Sequence, residues 1–346
     1  MYRLDLGVVF LVAFGLGPWR ILRTDFGALL WTAVVLMGAH YFSEWRYWYP
    51  GPAIAAFIEP WAGRLRAFMQ NRIDQAATGM LHGFLYGVLL GDRSELTSFF
   101  QEGFRTFGIS HMLAVSGFHV GFWVVLGRPL KGLFRLRRWR GLYVLLMGTF
   151  LCIYAAMVGS GPSVVRAVGT FCFAAIALQQ NWRISPLHWP LLVAWLMWCY
   201  DPEVVQRVGF QLSFSAVCGI LIGLNGLPAA EFLQSWQGES LVGSKFKVLV
   251  PVQVSLSAWT ATLPLVMHHF GGASPYFLVG NLLIVPLFVV YIWSALLVLL
   301  FGPLLPCWAL DVWNSSFERW VSWVLKSAEE INRQGLLESF FQACLR

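Results

Sequence analysis

The chain has 346 residues, 58% of them hydrophobic and 12% charged, with a formal net charge of +7 and a mean hydropathy of +0.64. A water-soluble globule would lack the polar surface to cover such a composition, so the sequence reads as an integral membrane protein. Apolar runs of about 17 to 25 residues, the length a helix needs to cross the hydrocarbon core, recur along it without strand-like alternation, which favours an all-α helical bundle over a β-barrel.

Residues 1–42 carry two apolar runs, near 6–22 and 26–42. They read as a retained transmembrane hairpin, because the opening MYRLDLGVVFLVAFGLGPWR lacks a small-residue cleavage site and a second apolar run follows at once. Residues 43–78 read as an outer-side amphipathic connector. In it Ile54, Phe57, Ile58, Trp61, Leu65, Phe68 and Met69 fall on one helical face and Arg64, Arg66 and Gln70 lie off it, the pattern of a helix lying in the membrane interface. In GMLHGFLYGVLLG, residues 79–91, Gly79, Gly83, Gly87 and Gly91 recur at every fourth position and form a face that another backbone can approach closely. The segment is too short to cross unaided, so it is expected to dip in and return, buried in protein.

Further spans are expected near 108–127, 142–158, 163–180, 187–200, 209–227, 248–267 and 277–301, giving about nine in all, with residues 79–302 as the membrane core. The tail, 303–346, repeats the amphipathic pattern, with Leu310, Trp313, Phe317, Trp320, Val321 and Val324 on one face, turned either to lipid or to the bundle. Loop 128–140 holds Arg128, Lys131, Arg135, Arg137, Arg138 and Arg140 and no acid, which puts it on the cytoplasmic side. Counting spans from there puts Arg20, Arg23, Arg183, Lys245 and Lys247 inside as well. The outer side receives Arg105, the turn at 159–162, DPEVVQR at 201–207 and HHFGGASP at 268–275, so polar features gather toward the outer half.

Several constellations could carry chemistry. In GISHMLAVSGFHVG, residues 108–121, Ser116 and His119 are three apart and share a face if helical, while Gly117 permits a bend. One reading makes them ordinary interhelical hydrogen-bonding groups. Another makes Ser116 a nucleophile with His119 or His111 as base, an intramembrane serine hydrolase; AVSG is similar to the GxSG motif of rhomboid-type proteases, but Ala114 stands in place of its first glycine. A metal reading of His111 and His119 with His268 and His269 lacks a nearby carboxylate of ligand spacing, and no metal is expected. Arg166, in GPSVVRAVGT, is the sharpest feature. A cation a few residues into a span costs on the order of 2.5 to 3.5 kcal/mol and must face protein or water. Ser163 and Thr170 share its face. Gln211 with Ser215, Ser255 with Thr262, and Asn281 before Pro286 offer further polar walls, which together favour a hydrated cavity.

Other chemistries find less support. The six cysteines show no CxxC pair, so neither a zinc site nor a disulfide framework is expected. GESLVGSK has Walker-A glycine spacing at Gly238 and Gly243 but ends Ser244-Lys245, where a phosphate loop needs Lys before Ser or Thr. No cofactor is expected. The 18 tryptophans could stack bases, though interface anchoring accounts for most of them.

Taken in order, GDRSEL (91–96), FRTFGISHMLAVSGFHVG (104–121), PSVVRA (162–167), DPEVVQRVGFQLSFSA (201–216), TLPL with HHFGGASP (262–275) and GNLLIVP (280–286) resemble the competence domain of the ComEC family, over roughly residues 79–300. The resemblance implies a multi-pass inner-membrane channel of natural transformation that passes single-stranded DNA from periplasm to cytoplasm, with no catalytic step of its own. It maps Arg105, His111, Ser116, His119, Arg166, Gln211, Ser213, Pro264, Asn281 and Pro286 onto family positions. Arg105, Arg166 and Arg207 would then attract phosphates, while Ser116, His119, Gln211, Ser213 and Asn281 line the passage with neutral groups. Gly117, Pro264 and Pro286 would shape the spans. The family's other parts are an OB-like domain and a metallo-β-lactamase-like nuclease domain. Residues 43–78 are too few for the first and the residues past 303 contain no HxHxDH cluster for the second, so separate OB-fold and nuclease proteins and a cytoplasmic motor ATPase are expected as partners. The glycine face and amphipathic segments offer surfaces for a homodimer. A non-DNA transporter or assembly factor on the same scaffold is the remaining alternative.

Overall fold

The computed structural model describes residues 51–129, 140–179, 188–223 and 244–333. The N-terminal hairpin, most of the basic loop, Arg183 and the glycine-rich stretch at 238–243 lie outside the described residues, as do the side chains of Lys245 and Lys247.

Among the described residues the chain is all-helical, with no strand. The helices are α1 (Gly51–Ala76), α2 (Gly79–Leu90), α3 (Ser98–Thr106), α4 (Gly117–Leu126), α5 (Arg140–Met157), α6 (Pro162–Gln179), α7 (His188–Tyr200), α8 (Val208–Gly223), α9 (Ser244–Phe270), α10 (Val285–Phe301) and α11 (Cys307–Arg333). Among the described residues three segments are long and apolar enough to cross a membrane, Pro162–Gln179, Val250–Phe270 and Phe277–Leu304. Helices α2, α4 and α8 and the stretch Gly141–Met157 are shorter apolar helices.

The chain folds back after the glycine-rich helix α2. Gly91 ends α2 in the left-handed region, φ 77°, and the following GDRSEL runs back along the glycine face. A Cβ at Gly83 would lie 3.2 Å from the Glu95 carbonyl oxygen and one at Gly87 would lie 2.9 Å from Leu96 Cδ1. The close backbone partner of the GxxxG face is therefore the chain's own return segment. Its opposite side is apolar core: Phe84 packs edge-on to Phe288 at 5.2 Å and against Phe317 at 4.8 Å.

Helix α11 turns Phe317, Trp320, Val321 and Val324 inward, onto α2 and α3, which decides between lipid and bundle for that apolar face. Asn314 fastens it to the break between α1 and α2, accepting the Thr78 N–H at 2.9 Å and donating to the Ala76 carbonyl at 3.0 Å.

The expected interfacial face of α1 is split. Phe57, Trp61 and Phe68 are exposed, whereas Met69 is buried with Ala62 and Ile73. Arg66, off the apolar face, points toward the bundle. Its guanidinium donates to Leu90 O at 3.3 Å and Met157 O at 3.1 Å and lies 3.7 Å from Asp92. Leu90 and Met157 are the last residues of α2 and α5, whose terminal carbonyls have no intrahelical donor, so a cation there satisfies two helix ends at once.

Helix α6 is the hub of the other half, touching α4, α5, α7 and α8, and α8 packs along α9. Gly219 and Gly223 let α8 lie directly on Ser257 and Ala261 of α9, a second close-packing glycine pair.

Candidate functional site

The expected span 108–127 is not one helix. Helix α3 ends at Thr106, Gly108 turns the chain in the left-handed region, φ 66°, and Ser110–Met112 forms a single 3-10 turn. The chain is extended at Ser116, φ −132° and ψ 177°, and only then does α4 begin. Hydropathy integrates composition and is blind to this break, which is made by a glycine turn and a helix cap. The turn is wedged in place, because Gly280 lies against the backbone oxygen of Phe107 and a Cβ at Gly108 would lie 3.0 Å from Phe277 Cβ. The Ser274 hydroxyl adds a bond to the Thr106 carbonyl.

Ser116 and His119 form the cap of α4. The Ser116 oxygen accepts the Phe118 N–H at 3.3 Å, and His119 Nδ1 accepts the Ser116 N–H at 3.1 Å. This reciprocal pattern is a capping box with histidine in the position that Glu or Gln more often fills. The Ser116 Oγ to His119 Nδ1 distance is 3.3 Å, but Nδ1 already serves a backbone donor. His119 Nε2 is buried without a hydrogen-bond partner among the described residues, so no carboxylate orients the ring as a base would require. His111 is exposed on the 3-10 turn. Among the described residues no group of three or more His, Cys, Asp or Glu could hold a metal ion.

Arg166 is the centre of the polar network. It sits one turn into α6, with Nε donating to Ser213 Oγ of α8 at 2.8 Å and the guanidinium 5.8 Å from the Phe214 ring centroid. A Cβ at Gly117 would lie 2.7 Å from Arg166 Nη2, so the missing side chain at the start of α4 is what admits the guanidinium. No carboxylate pairs with Arg166 among the described residues. Its charge is held by a hydroxyl, an aromatic face and a glycine gap, which leaves its remaining N–H groups open to an anion.

The neighbouring polar residues divide into fasteners and candidates. Ser163 donates to Val115 O at 3.3 Å and Ser215 to Ala261 O at 2.6 Å, and Thr262 bonds back to Ala258 O at 2.9 Å. The hydroxyl of Thr170, expected beside Arg166, is buried and unpartnered among the described residues. Gln211 bridges elements, donating to Val205 O at 2.9 Å and meeting His269 Nε2 of α9 at 2.7 Å. Arg207, expected to attract phosphate, is paired with Asp201 at 2.6 Å, the two residues flanking the turn Pro202–Gln206. Asn281 is half-buried in a π-helical turn, Gly280–Ile284, that leads into α10. Pro286 stands in the first turn of α10, so the widened turn before it carries the span through where an interruption was expected. Pro264 lies inside α9.

These contacts join the start of α4, the start of α6, the start of α8 and the end of α9. Arg105 is exposed on α3, 3.8 Å from Glu102. Sequence reasoning missed Phe214 as the partner of the Arg166 guanidinium and His269 as the partner of Gln211. Phe214 stands between Ser213 and Ser215, and nothing in its spacing shows that α8 faces α6.

The family model described as Competence protein matches residues 88–344. The chain is 25% identical over 209 residues to ComE operon protein 3 of Bacillus subtilis, covering 60% of this chain and 24% of that protein. It is 24% identical over 231 residues to Recombination protein 2 of Haemophilus influenzae, covering 65% and 29%. Competence protein ComA of Neisseria gonorrhoeae is 28% identical over 232 residues, covering 64% and 32%. The matched region thus spans about a quarter to a third of these curated relatives. No solved structure matches.

Proposed function

The chain belongs to the competence protein family, and from that premise we propose that it is an inner-membrane, multi-pass channel component of DNA uptake that passes single-stranded DNA from the periplasm to the cytoplasm. The observation that carries this reading is Arg166, a cation inside a span with no carboxylate partner among the described residues, held on Ser213 and Phe214 beside the Gly117 gap. Such a group is costly unless water or a passing anion reaches it. A strand is an anion in every residue, and an arginine fixed by one N–H keeps the rest of its planar fork for phosphate oxygens.

In this reading Arg105 collects phosphates at the outer mouth, His111 stands beside it, and Gln211, Ser213 and Asn281 line the way with neutral groups. Ser116 and His119 hold the end of α4 that faces Arg166. About nine spans complete the bundle, and an OB-fold unit, a nuclease unit and a motor ATPase supply capture, strand degradation and energy. A second copy packs on the exposed amphipathic surface. Uptake of labelled DNA by cells lacking this protein, complemented with the parent or with Arg166→Ala, tests the reading: the parent restores uptake and the variant does not. Normal uptake in cells without the protein contradicts it.

A further inference from the structure

Beside the mouth, the return segment after α2, the outer face of α3 and the 3-10 turn enclose an open pocket of about 300 Å³. Its walls include Arg93, Ser98, Gln101, Glu102, Arg105 and Ser110. Arg93 is exposed and has no carboxylate partner among the described residues. Arg105 is 64% exposed, and its closest approach to Glu102, 3.8 Å, is longer than a hydrogen bond. Gln101 is steadied by its bond to Leu96 O at 3.0 Å. The hydroxyls of Ser98 and Ser110 have no protein partner among the described residues.

We infer that this pocket takes a backbone phosphate of the incoming strand, with Arg93 and Arg105 as its two cationic arms and Ser98 and Ser110 as neutral donors. The inference rests on the strand-conduit reading and deepens it, because it adds Arg93, in GDRSEL, as a docking residue. Two arginines and two hydroxyls lining one pocket are a donor set suited to phosphodiester oxygens. The volume is at the small end of ligand clefts, enough for one sugar-phosphate unit and too little for a duplex face. Glu102 gives Arg105 a weak carboxylate neighbour that a phosphate displaces.

The test is fluorescence anisotropy of a labelled single-stranded oligonucleotide with the purified full chain in neutral detergent, read as a function of salt. For single strands each phosphate contact contributes about −0.7 to the slope of log affinity against log salt. Arg93→Gln and Arg105→Gln are each expected to flatten the slope by about 0.7, the double variant by about 1.4, and Arg93→Lys to keep the parent slope. An unchanged slope in both glutamine variants, with the parent binding normally, overturns the pocket and leaves the conduit reading standing. Absence of oligonucleotide binding by the parent overturns both. A parallel titration with short-chain phosphatidylglycerol distinguishes a lipid headgroup: loss of lipid binding in Arg93→Gln with oligonucleotide binding intact overturns the proposal.

Discussion

Arg166 Nε donates to Ser213 Oγ at 2.8 Å, tying α6 to α8 at the end of the bundle where α4 begins. The bond fixes the guanidinium against Phe214 and leaves it free of any carboxylate among the described residues, so its charge is available and its position is set.

Removing the hydroxyl tests the positioning. Ser213→Ala leaves a half-buried guanidinium with one fewer partner, a loss of about 1.5 to 3 kcal/mol for a hydrogen bond to a charged group. A lowered melting temperature in detergent and reduced DNA uptake are expected together, while Ser213→Thr keeps both near the parent. Arg166→Lys, which has the charge without the planar fork, is expected to restore uptake only in part.

The capping box makes separate predictions. Ser116→Ala is expected to cost about 1 kcal/mol of stability, and Ser116→Asn or Ser116→Asp to recover most of it, since either side chain can accept the same N–H. His119→Gln keeps an acceptor for the Ser116 N–H and is expected to fold like the parent. Thermal unfolding measures both. Labelling of Ser116 by a fluorophosphonate probe is not expected, and such labelling would support the hydrolase reading instead.

Glycines at close approaches differ in what their neighbours can do. At Gly280 the obstacle is the backbone oxygen of Phe107, which cannot swing away, whereas at Gly117 it is the tip of the Arg166 side chain. Gly280→Ala is therefore expected to destabilise the fold by about 1 to 3 kcal/mol. Gly117→Ala is expected to leave stability closer to the parent and to reduce uptake by displacing the guanidinium. Expression level and melting temperature, set against uptake, separate the two effects.

Outside the three spans, His82 lies between two carboxylates, 2.9 Å from Asp74 and 2.6 Å from Glu95, and Tyr86 donates to the same Asp74 at 2.7 Å. A neutral imidazole has one N–H, so both contacts donate only when the ring is protonated. Burial opposes that charge, but the bonds to Asp74 and Glu95 outweigh it and raise the His82 pKa above 6.5. Asp74 moves the other way, lowered from 3.8 chiefly by its bond to His82. The His82 contribution is thus complete below pH 6.5 and is lost as pH rises through the higher folded-state value. The Asp74 contribution is present above 3.8 and is lost as pH falls through its lower folded value. The stability gap between parent and His82→Gln is expected to be widest in mildly acidic buffer and to close on the alkaline side, as read by thermal unfolding across pH.

Much of the scaffold was legible because hydrophobic period and length respond directly to a bilayer. The span expected near 163–180 is observed as Pro162–Gln179, and that near 277–301 as the apolar segment Phe277–Leu304. The glycine face of GMLHGFLYGVLLG did meet a backbone. What could not be read was which partner each group would find. Arg66 looks like a solvated residue until two helix ends are brought beside it. The break at 108–116 depends on a left-handed glycine and a side-chain cap inside an apolar run. Gly219 and Gly223, which sequence reasoning passed over, receive Ser257 and Ala261 only through the tertiary packing of α8 on α9. Arg166 was visible as an unusual cation, whereas Phe214 became its partner only when α6 met α8.

The conduit itself is most directly tested by cross-linking during uptake. Phe118 is 38% exposed beside the Gly117 gap, and benzoylphenylalanine in its place keeps an aromatic side chain there. In cells taking up radiolabelled DNA, illumination is predicted to attach single-stranded label to this protein at position 118, and Arg166→Ala in the same chain is predicted to abolish the attachment. Efficient uptake with no strand attached at position 118 in the Arg166-containing chain would contradict the account.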